Sequence, residues 1–253
     1  MTEPAMPEGA RRDALRRGVR VLCAAPAWNE GARIADVVRA VPTDWVDEVL
    51  VVDDGSTDDT AEHARAAGAT VLRHPQNQGV GAAIRSAIEY GQQHGYDVLA
   101  IVSGGGKTPP HQLPSLLRPI LTGESDFVQG SRYAPGGSLR GAPWHRRIGT
   151  VGYTALFVAF TRRWVSDASS GFRAFRLSAL ERLDADLKQS WLDRYELEPY
   201  LLFKARRGRT RYAEVAVTID YPPPGEDYTK MQGITDWWRI LRPVVFLALK
   251  LRH

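Results

Sequence analysis

The sequence predicts an α/β domain with a mostly parallel central sheet and a C-terminal helix of apolar and basic residues. Short apolar runs ending in Gly, Ser and Asp clusters alternate with stretches that carry a helical apolar stripe, the pattern of strands and helices taken in turn along one sheet. The run Val49-Leu50-Val51-Val52 gives way to Asp53-Asp54-Gly55-Ser56, as a strand buried on both faces does where the chain turns toward a helix. A length of 253 residues, 43% hydrophobic and 25% charged, suits one such domain with a full core.

Met1 to Gly18 has Pro, Gly and the pairs Arg11-Arg12 and Arg16-Arg17 but no apolar core for a secretory signal, and is expected to be a mobile arm. Residues 19–232 are read as the domain and 233–253 as the terminal helix. Val19 to Ala25 is the first strand, and Ile34, Val37, Val38 and Val41 mark the core face of the helix after it. Val49 to Asp53, Thr70 to Arg73, Asp97 to Val102 and Asp126 to Ser131 read as further strands. Helices are expected over Thr57 to Ala67, from Gly79 with Val80, Ile84 and Ile88 inward, over His111 to Leu121 and over Trp191 to Lys204. Arg211 to Asp220 alternates as an edge strand and Tyr221-Pro222-Pro223-Pro224 stops it. No run reaches the ~20 apolar residues of a spanning helix, and the lone Cys23 in an apolar strand fits a reducing cytoplasm.

A net charge of +4 favours an anionic partner such as a nucleotide phosphate or a lipid headgroup. Basic residues interleaved with aromatics, the mark of a nucleic-acid surface, are missing. Ligands of open α/β sheets bind at the C-terminal ends of the strands. Asp53 and Asp54 emerge there, where acids accept from a base or ribose, hold a metal, or merely serve the turn; the residues alone leave these readings level. The turn Gln78-Gly79-Val80-Gly81 allows close backbone approach and offers N–H groups to an anion, although such glycines are also routine between strand and helix.

Pro26-Ala27-Trp28-Asn29-Glu30, then Val51-Val52-Asp53-Asp54-Gly55-Ser56-Thr57-Asp58, Asn77-Gln78-Gly79-Val80-Gly81 and Ser169-Ser170-Gly171-Phe172-Arg173 resemble the family 2 glycosyltransferases of GT-A (Rossmann-like) fold, in particular their dolichyl-phosphate mannose synthase-like branch. The resemblance implies that Pro26, Ala27, Glu30, Asp53 and Asp54 hold the nucleoside, with Gly79 and Gly81 nearby. Arg132 of Gly130-Ser131-Arg132 then lies near the diphosphate. It also implies an acceptor side with Ser170, Gly171 and Arg173, and with Arg146 and Thr150, for which Arg147 competes. From Tyr195-Glu196-Leu197-Glu198 the expected general base toward a hydroxyl acceptor is Glu196, or Asp193 before it. A phosphate acceptor is already ionised and needs no strong base.

One motif departs from the family. Where its members carry Asp-X-Asp for Mg²⁺ or Mn²⁺, this chain has Ser103-Gly104-Gly105-Gly106-Lys107. Divalent metals of this class need carboxylate or carbonyl oxygens. Lys107 is therefore expected to neutralise the leaving diphosphate as a point charge, with amides such as that of Gly105 forming a nest for phosphate oxygens. Lys230, from a loop that resembles the family's closing loop, would share that charge. No metal or other cofactor is expected.

The last helix, Thr235 to Leu251, is apolar almost all round with Trp237, Trp238 and several cations, which suits a membrane interface, packing on the domain or a homo-oligomer. The apolar Val151 to Phe160 fits a bilayer surface or a buried helix equally. The combined expectation is an inverting, metal-independent glycosyltransferase, cytoplasmic or peripheral on the inner face of the membrane. It takes a nucleotide diphosphate sugar, UDP-sugar favoured, and a polyprenyl phosphate or a small hydroxyl or amine acceptor. The rival is a catalytically inactive nucleotide-sugar-binding protein derived from the same family.

Overall fold

The computed structural model describes residues 18–221 and 233–251. The chain forms β1 (Val21–Ala27), α1 (Arg33–Arg39), β2 (Glu48–Asp53), α2 (Thr60–Ala66), β3 (Thr70–Arg73), α3 (Val80–Gln93) and β4 (Val98–Ile101), as the alternating pattern predicts. It continues with α4 (Leu113–Leu121), β5 (Phe127–Ser131), β6 (Ser138–Arg140), α5 (Trp144–Thr161), β7 (Arg173–Arg176), α6 (Leu177–Glu181), α7 (Leu197–Arg207), β8 (Tyr212–Ala216), β9 (Thr218–Asp220) and α8 (Gly233–Ala248). Lys230 lies outside the described residues, as does the arm up to residue 17.

The main sheet is 7-stranded in the order β3-β2-β1-β4-β7-β5-β8. Its neighbours run parallel except around β7, which is antiparallel to both β4 and β5. Successive side chains enter opposite layers, as a period of two requires. Val21, Cys23 and Ala25 join the cluster that includes Ile34, Val37 and Leu117 on one face. Leu22 and Ala24 join Ile84, Ile88, Phe157 and Tyr200 on the other. Burial raises the Cys23 thiol to about 12, which leaves it an inert core residue.

Strand order reverses between β1 and β4, since β1 leads outward to β2 and β3 while β4 pairs on its other side. The loops after those two strands therefore diverge and open a crevice, the usual ligand site of such sheets. Antiparallel β7 sets Arg173 opposite Ile101 at the end of β4, so Ser169-Ser170-Gly171 arrives at the same edge. The end of β5 lies there too, with Gln129 opposite Arg173.

Two departures from the sequence reading concern strands. Arg173-Ala174-Phe175-Arg176 is a central strand, and Arg211 to Asp220 divides between β8, on the edge of the main sheet, and β9, which pairs with β6 in a separate two-stranded sheet. Val217 makes the switch, its N–H donating to the Ser131 carbonyl while its own carbonyl accepts from the Ser138 N–H. The expected helix from Trp191 begins as a short 3₁₀ turn and becomes α-helical only at Leu197.

Asp126, just before β5, anchors this half of the sheet. Its buried carboxylate accepts from Arg211 Nη2 at 2.8 Å and Nε at 3.1 Å, and Arg182 Nη2 stands 3.2 Å away. These bonds, chiefly those from Arg211, hold its carboxyl down at about 2, below the ~3.9 of an unfolded chain. On acidification the unfolded chain takes up this proton first. The stabilisation is therefore complete above about pH 4 and is lost as pH falls toward about 2. Urea unfolding across that range should show the slope and Asp126→Asn should flatten it; an unchanged slope would assign the loss to other carboxylates.

Candidate functional site

Two adjoining chambers open at the C-terminal edge of the sheet and share Pro26, Val80, Ser103, Lys107 and Tyr195 in their walls. The first, about 490 Å³, is walled by Pro26, Ala27, Trp28 and Glu30 after β1, Asp54 after β2, Asn77 and Gly79 before α3, Arg194 before α7, and Asp236 and Arg239 from α8. The second, about 290 Å³, is walled by Arg132, Arg146, Thr150, Ser169, Ser170, Gly171 and Glu198, with Ile84, Tyr153, Ile219, Tyr221, Trp237 and Ile240 as an apolar lining. Lys107 stands at the junction.

The acids after β2 shape the first chamber in different ways. Asp54 Oδ1 is hydrogen-bonded to His74 Nδ1 at 2.8 Å and to the Gln78 amide at 2.9 Å, and Oδ2 accepts from the Gly79 amide at 2.7 Å. The carboxylate thus fixes the turn into α3 while lining the cavity. Asp53 points the other way, as neighbours on a strand must. It is fully buried, accepts from the Ser56 amide at 2.9 Å and faces Arg73 Nε at 3.2 Å. It lines neither chamber, although it was expected among the nucleoside contacts. Ser56, Thr57 and Thr60 tie this loop to that of β1: the Asn29 amide donates to Ser56 Oγ, the Thr57 amide to Asn29 Oδ1, and the Glu30 amide to Thr60 Oγ1.

The turn at Gly79 and Gly81, expected to offer amides to an anion, is packed against the protein itself, while Gly79 lines the first chamber. Gly79 spends its N–H on Asp54, and a Cβ there would stand 2.5 Å from the Asp193 carbonyl. A Cβ on Gly81 would lie 2.0 Å from the Leu192 carbonyl, and the Ala82 amide donates to the Asp193 carbonyl. The close approach these glycines permit is that of the protein's own 192–194 segment, so the turn positions Arg194 and Tyr195 in the wall.

The loop after β4 is folded onto β1. The Gly104 amide donates to the Pro26 carbonyl and that of Gly106 to the Ser103 carbonyl, while Thr108 Oγ1 accepts from the Ser103 amide. Of the expected nest, the Gly105 N–H is what remains. A Cβ at Gly105 would lie 2.8 Å from Glu30 Oε2, so the Glu30 carboxylate occupies the space a side chain at 105 would need. Among the described residues no three His, Cys, Asp or Glu side chains gather to hold a metal. The loop after β4 brings no carboxylate of its own and sets Lys107 near Glu30, a poor fit for a hard divalent cation.

On the other side, Arg132 is 8% exposed and forms a two-point ion pair with buried Asp167, Nε to Oδ2 at 2.6 Å and Nη2 to Oδ1 at 2.7 Å. Nη2 also reaches Ser169 Oγ at 2.5 Å. Arg146 and Thr150 share one face of α5, and Thr150 Oγ1 is hydrogen-bonded to the Tyr133 hydroxyl at 2.7 Å. The competitor Arg147 is already engaged, donating to the carbonyls of Leu139 and Ala142. Arg173 lines neither chamber. It braces the turn from beneath, Nη2 donating to the Ser170 carbonyl at 2.5 Å and Nη1 to the Glu198 carbonyl at 2.9 Å.

Both acids named as general bases sit elsewhere. Asp193 is paired with Arg85 Nη2 at 2.5 Å outside the chamber walls. Glu196 is 1% exposed and accepts from Arg242 Nη2 at 2.5 Å, with Arg239 Nε 3.9 Å away, so it fastens α8 to the segment before α7. Burial pushes its carboxyl up in spite of those arginines. The carboxylate that does line the second chamber is Glu198, beside Gly171. Sequence reasoning also passed over Arg194, Tyr195, Trp237 and Arg239. Two of these are on a terminal helix that reads as an anchor, and the only sign of the others was the Tyr-Glu-X-Glu pattern, which Tyr195 opens and Arg194 precedes.

Residues 23–184 match the family model described as Glycosyl transferase family 2. Among similar proteins is an undecaprenyl-phosphate mannosyltransferase of Micrococcus luteus, 32% identical over 85% of this chain and 88% of its own. Another is a polyprenol monophosphomannose synthase of Mycolicibacterium smegmatis, 31% identical over 89% and 87%. A third is a UDP-N-acetylglucosamine–dolichyl-phosphate N-acetylglucosaminyltransferase of Methanococcus voltae, 26% identical over 78% and 84%. Among solved structures, glucosyl-3-phosphoglycerate synthase of Mycobacterium tuberculosis, in complex with Mn²⁺, UDP and glucosyl-3-phosphoglycerate, superposes with a TM-score of 0.71 at 23% identity over 99% of this chain and 86% of that one. It shares the fold.

Proposed function

We propose that this chain, which belongs to glycosyl transferase family 2, moves a sugar from a nucleotide diphosphate sugar to a polyprenyl phosphate. The observation that carries this reading is the second chamber, in which Arg132 and Arg146 with Thr150 meet an apolar wall of Ile84, Tyr153, Ile219, Trp237 and Ile240. Cations beside an apolar lining match a phosphate on a hydrocarbon chain better than a soluble polyol, which would find few partners for its hydroxyls. The relatives whose names include undecaprenyl, polyprenol and dolichyl phosphate support the same acceptor class.

The donor nucleotide occupies the first chamber, with Pro26, Ala27, Trp28, Glu30 and Asp54 toward the nucleoside and the diphosphate reaching Lys107 at the junction. An acceptor phosphate oxygen, already ionised, attacks the sugar C1 from the face opposite the diphosphate. The C1–O bond breaks, its electron pair leaves on the nucleoside diphosphate, and the anomeric centre inverts. This attack calls for no general base, which accords with Asp193 and Glu196 lying outside the chambers. Lys107 opposes the charge that develops on the leaving group, and no divalent cation takes part. UDP is the favoured nucleotide.

Calorimetry with UDP, GDP, dTDP and their sugars in EDTA, repeated with Mn²⁺, tests the donor half. Transfer to a short-chain polyprenyl phosphate, set beside soluble hydroxyl and amine acceptors, tests the other. Binding of one nucleotide in EDTA with sugar transferred to the lipid phosphate is the expected result. Binding that needs Mn²⁺ would overturn the metal-free reading. Binding without transfer to any acceptor would favour the catalytically inactive alternative.

A further inference from the structure

His74 is 7% exposed and lines neither chamber, yet both its ring nitrogens are engaged. Nδ1 stands 2.8 Å from Asp54 Oδ1, and Nε2 stands 2.9 Å from Ser86 Oγ on α3. The residue directly follows β3, where its amide donates to the Asp53 carbonyl and continues the pairing with β2. Burying an imidazole is unfavourable unless its polar atoms are satisfied, and an apolar side chain would fill the same space without that penalty. What the ring adds is a pair of directed bonds, one of them to a carboxylate in the wall of the first chamber.

The acceptor capacity of Asp54 shows what that bond does. An ionised carboxylate accepts at about four lone pairs, shared by its two oxygens. Oδ1 is taken up by His74 and the Gln78 amide, while Oδ2 receives the Gly79 amide and keeps a further position. Among the described residues no arginine or lysine pairs with Asp54, whose side-chain partner is His74. Asp53 differs, since it faces Arg73 Nε at 3.2 Å. Nδ1 faces a group that only accepts, so it carries the proton. The Ser86 hydroxyl both donates and accepts and completes the brace in either state of Nε2. Ser86 sits on α3 beside buried Ala87 and Ile88, so the ring is held by a rigid element rather than a loop.

We propose that His74, braced by Ser86, is a positioning residue for the donor nucleoside. This role rests on the reading of the first chamber as the donor site. By occupying Oδ1 the ring fixes the rotation of the Asp54 carboxylate and leaves Oδ2 as the oxygen that meets an N–H or O–H of the nucleoside. A guanidinium in the same place would draw on both oxygens, as Arg132 does on Asp167, and would compete with the ligand for Oδ2. The imidazole engages one oxygen and stops there. The contact from Asp54 to the nucleoside is made alike before and during transfer, so His74 acts on donor affinity and not on the chemical step.

Counted in bonds from Cβ, an asparagine places its amide nitrogen where Nδ1 stands and a glutamine where Nε2 stands, so two conservative changes separate the two contacts. Calorimetry of the full chain with UDP, GDP and dTDP reads them without any acceptor. His74→Gln should raise the Kd of the nucleotide that the unaltered chain binds by about tenfold, the worth of one charge-assisted hydrogen bond. His74→Asn, which keeps the bond to Asp54, should bring it back to within about threefold. In transfer, the donor KM of His74→Gln should rise with kcat unchanged. Ser86→Ala keeps the ring but releases it, and should raise Kd about three- to fivefold; it decides the question if His74→Gln does not fold. Equal affinities in all variants, or equal weakening by Asn and Gln, would overturn the positioning role and leave His74 a structural tie. So would a fall in kcat at constant KM. A chain that binds none of the nucleotides would overturn the donor reading together with this role, whereas one that binds, and binds as tightly with His74→Gln, would overturn the role alone.

Discussion

Lys107→Ala should lower the rate of sugar transfer by about a hundred- to a thousandfold, the usual cost of removing one preorganised group that opposes developing charge. Nucleotide binding should weaken far less, and stability should move by no more than ~0.5 kcal/mol. Lys107 lies in the walls of both chambers, where the bond between sugar and diphosphate must break if donor and acceptor occupy one each. Glu30 makes the alternative of a hidden metal testable in the same variant. Its carboxylate fills the space beside Gly105, so an aspartate at 105 would meet both a clash and a like charge. Mn²⁺ should therefore fail to rescue Lys107→Ala, and Gly105→Asp should lose activity rather than gain metal dependence. An unchanged rate for Lys107→Ala would remove the lysine from the mechanism, and rescue by Mn²⁺ would show that carboxylates here still gather a cation.

The parallel half of the sheet was legible because its strands are apolar runs that end in turn residues, and burial on both faces leaves such a run no other environment. β7 was not. Arg173-Ala174-Phe175-Arg176 begins and ends in arginine, and only the fold shows that both guanidinium groups are absorbed by carbonyls, Arg173 by those of Ser170 and Glu198 and Arg176 by that of Ile120. The same limit acts at the site. Glu196 and Glu198 stand two apart at the start of a helix, and local pattern cannot tell which is locked to Arg242 and which lines the cavity, because that depends on where α7 begins and on α8, far along the chain. The choice between Arg146 and Arg147 likewise turns on the carbonyls of Leu139 and Ala142, which a separate strand brings into reach. The motif around Asp53 and Asp54 pointed to the edge where the chambers open, but the alternation of a strand sends Asp54 into the wall and Asp53 into the protein.

Arg132→Ala is expected to cost about 3–5 kcal/mol of stability, since it leaves the Asp167 carboxylate buried without its countercharge. Asp167 is fully buried, and both its oxygens are engaged by the guanidinium. Loss of transfer in this variant would therefore say little about catalysis. The double variant Arg132→Ala, Asp167→Asn separates the roles: with the charge gone from both sides, urea unfolding should recover a large part of the lost stability. Arg132 lines the second chamber and commits Nε and Nη2 to Asp167 and Ser169, which leaves Nη1 for an acceptor phosphate. If Arg132 holds that phosphate beside Arg146, the refolded double variant should show a KM for polyprenyl phosphate raised about tenfold or more, the cost of one charge-assisted bond, with donor affinity unchanged. A KM that returns to the original value along with stability would make Arg132 a brace for the Asp167–Gly171 turn, and the acceptor phosphate would then rest on Arg146 and Thr150.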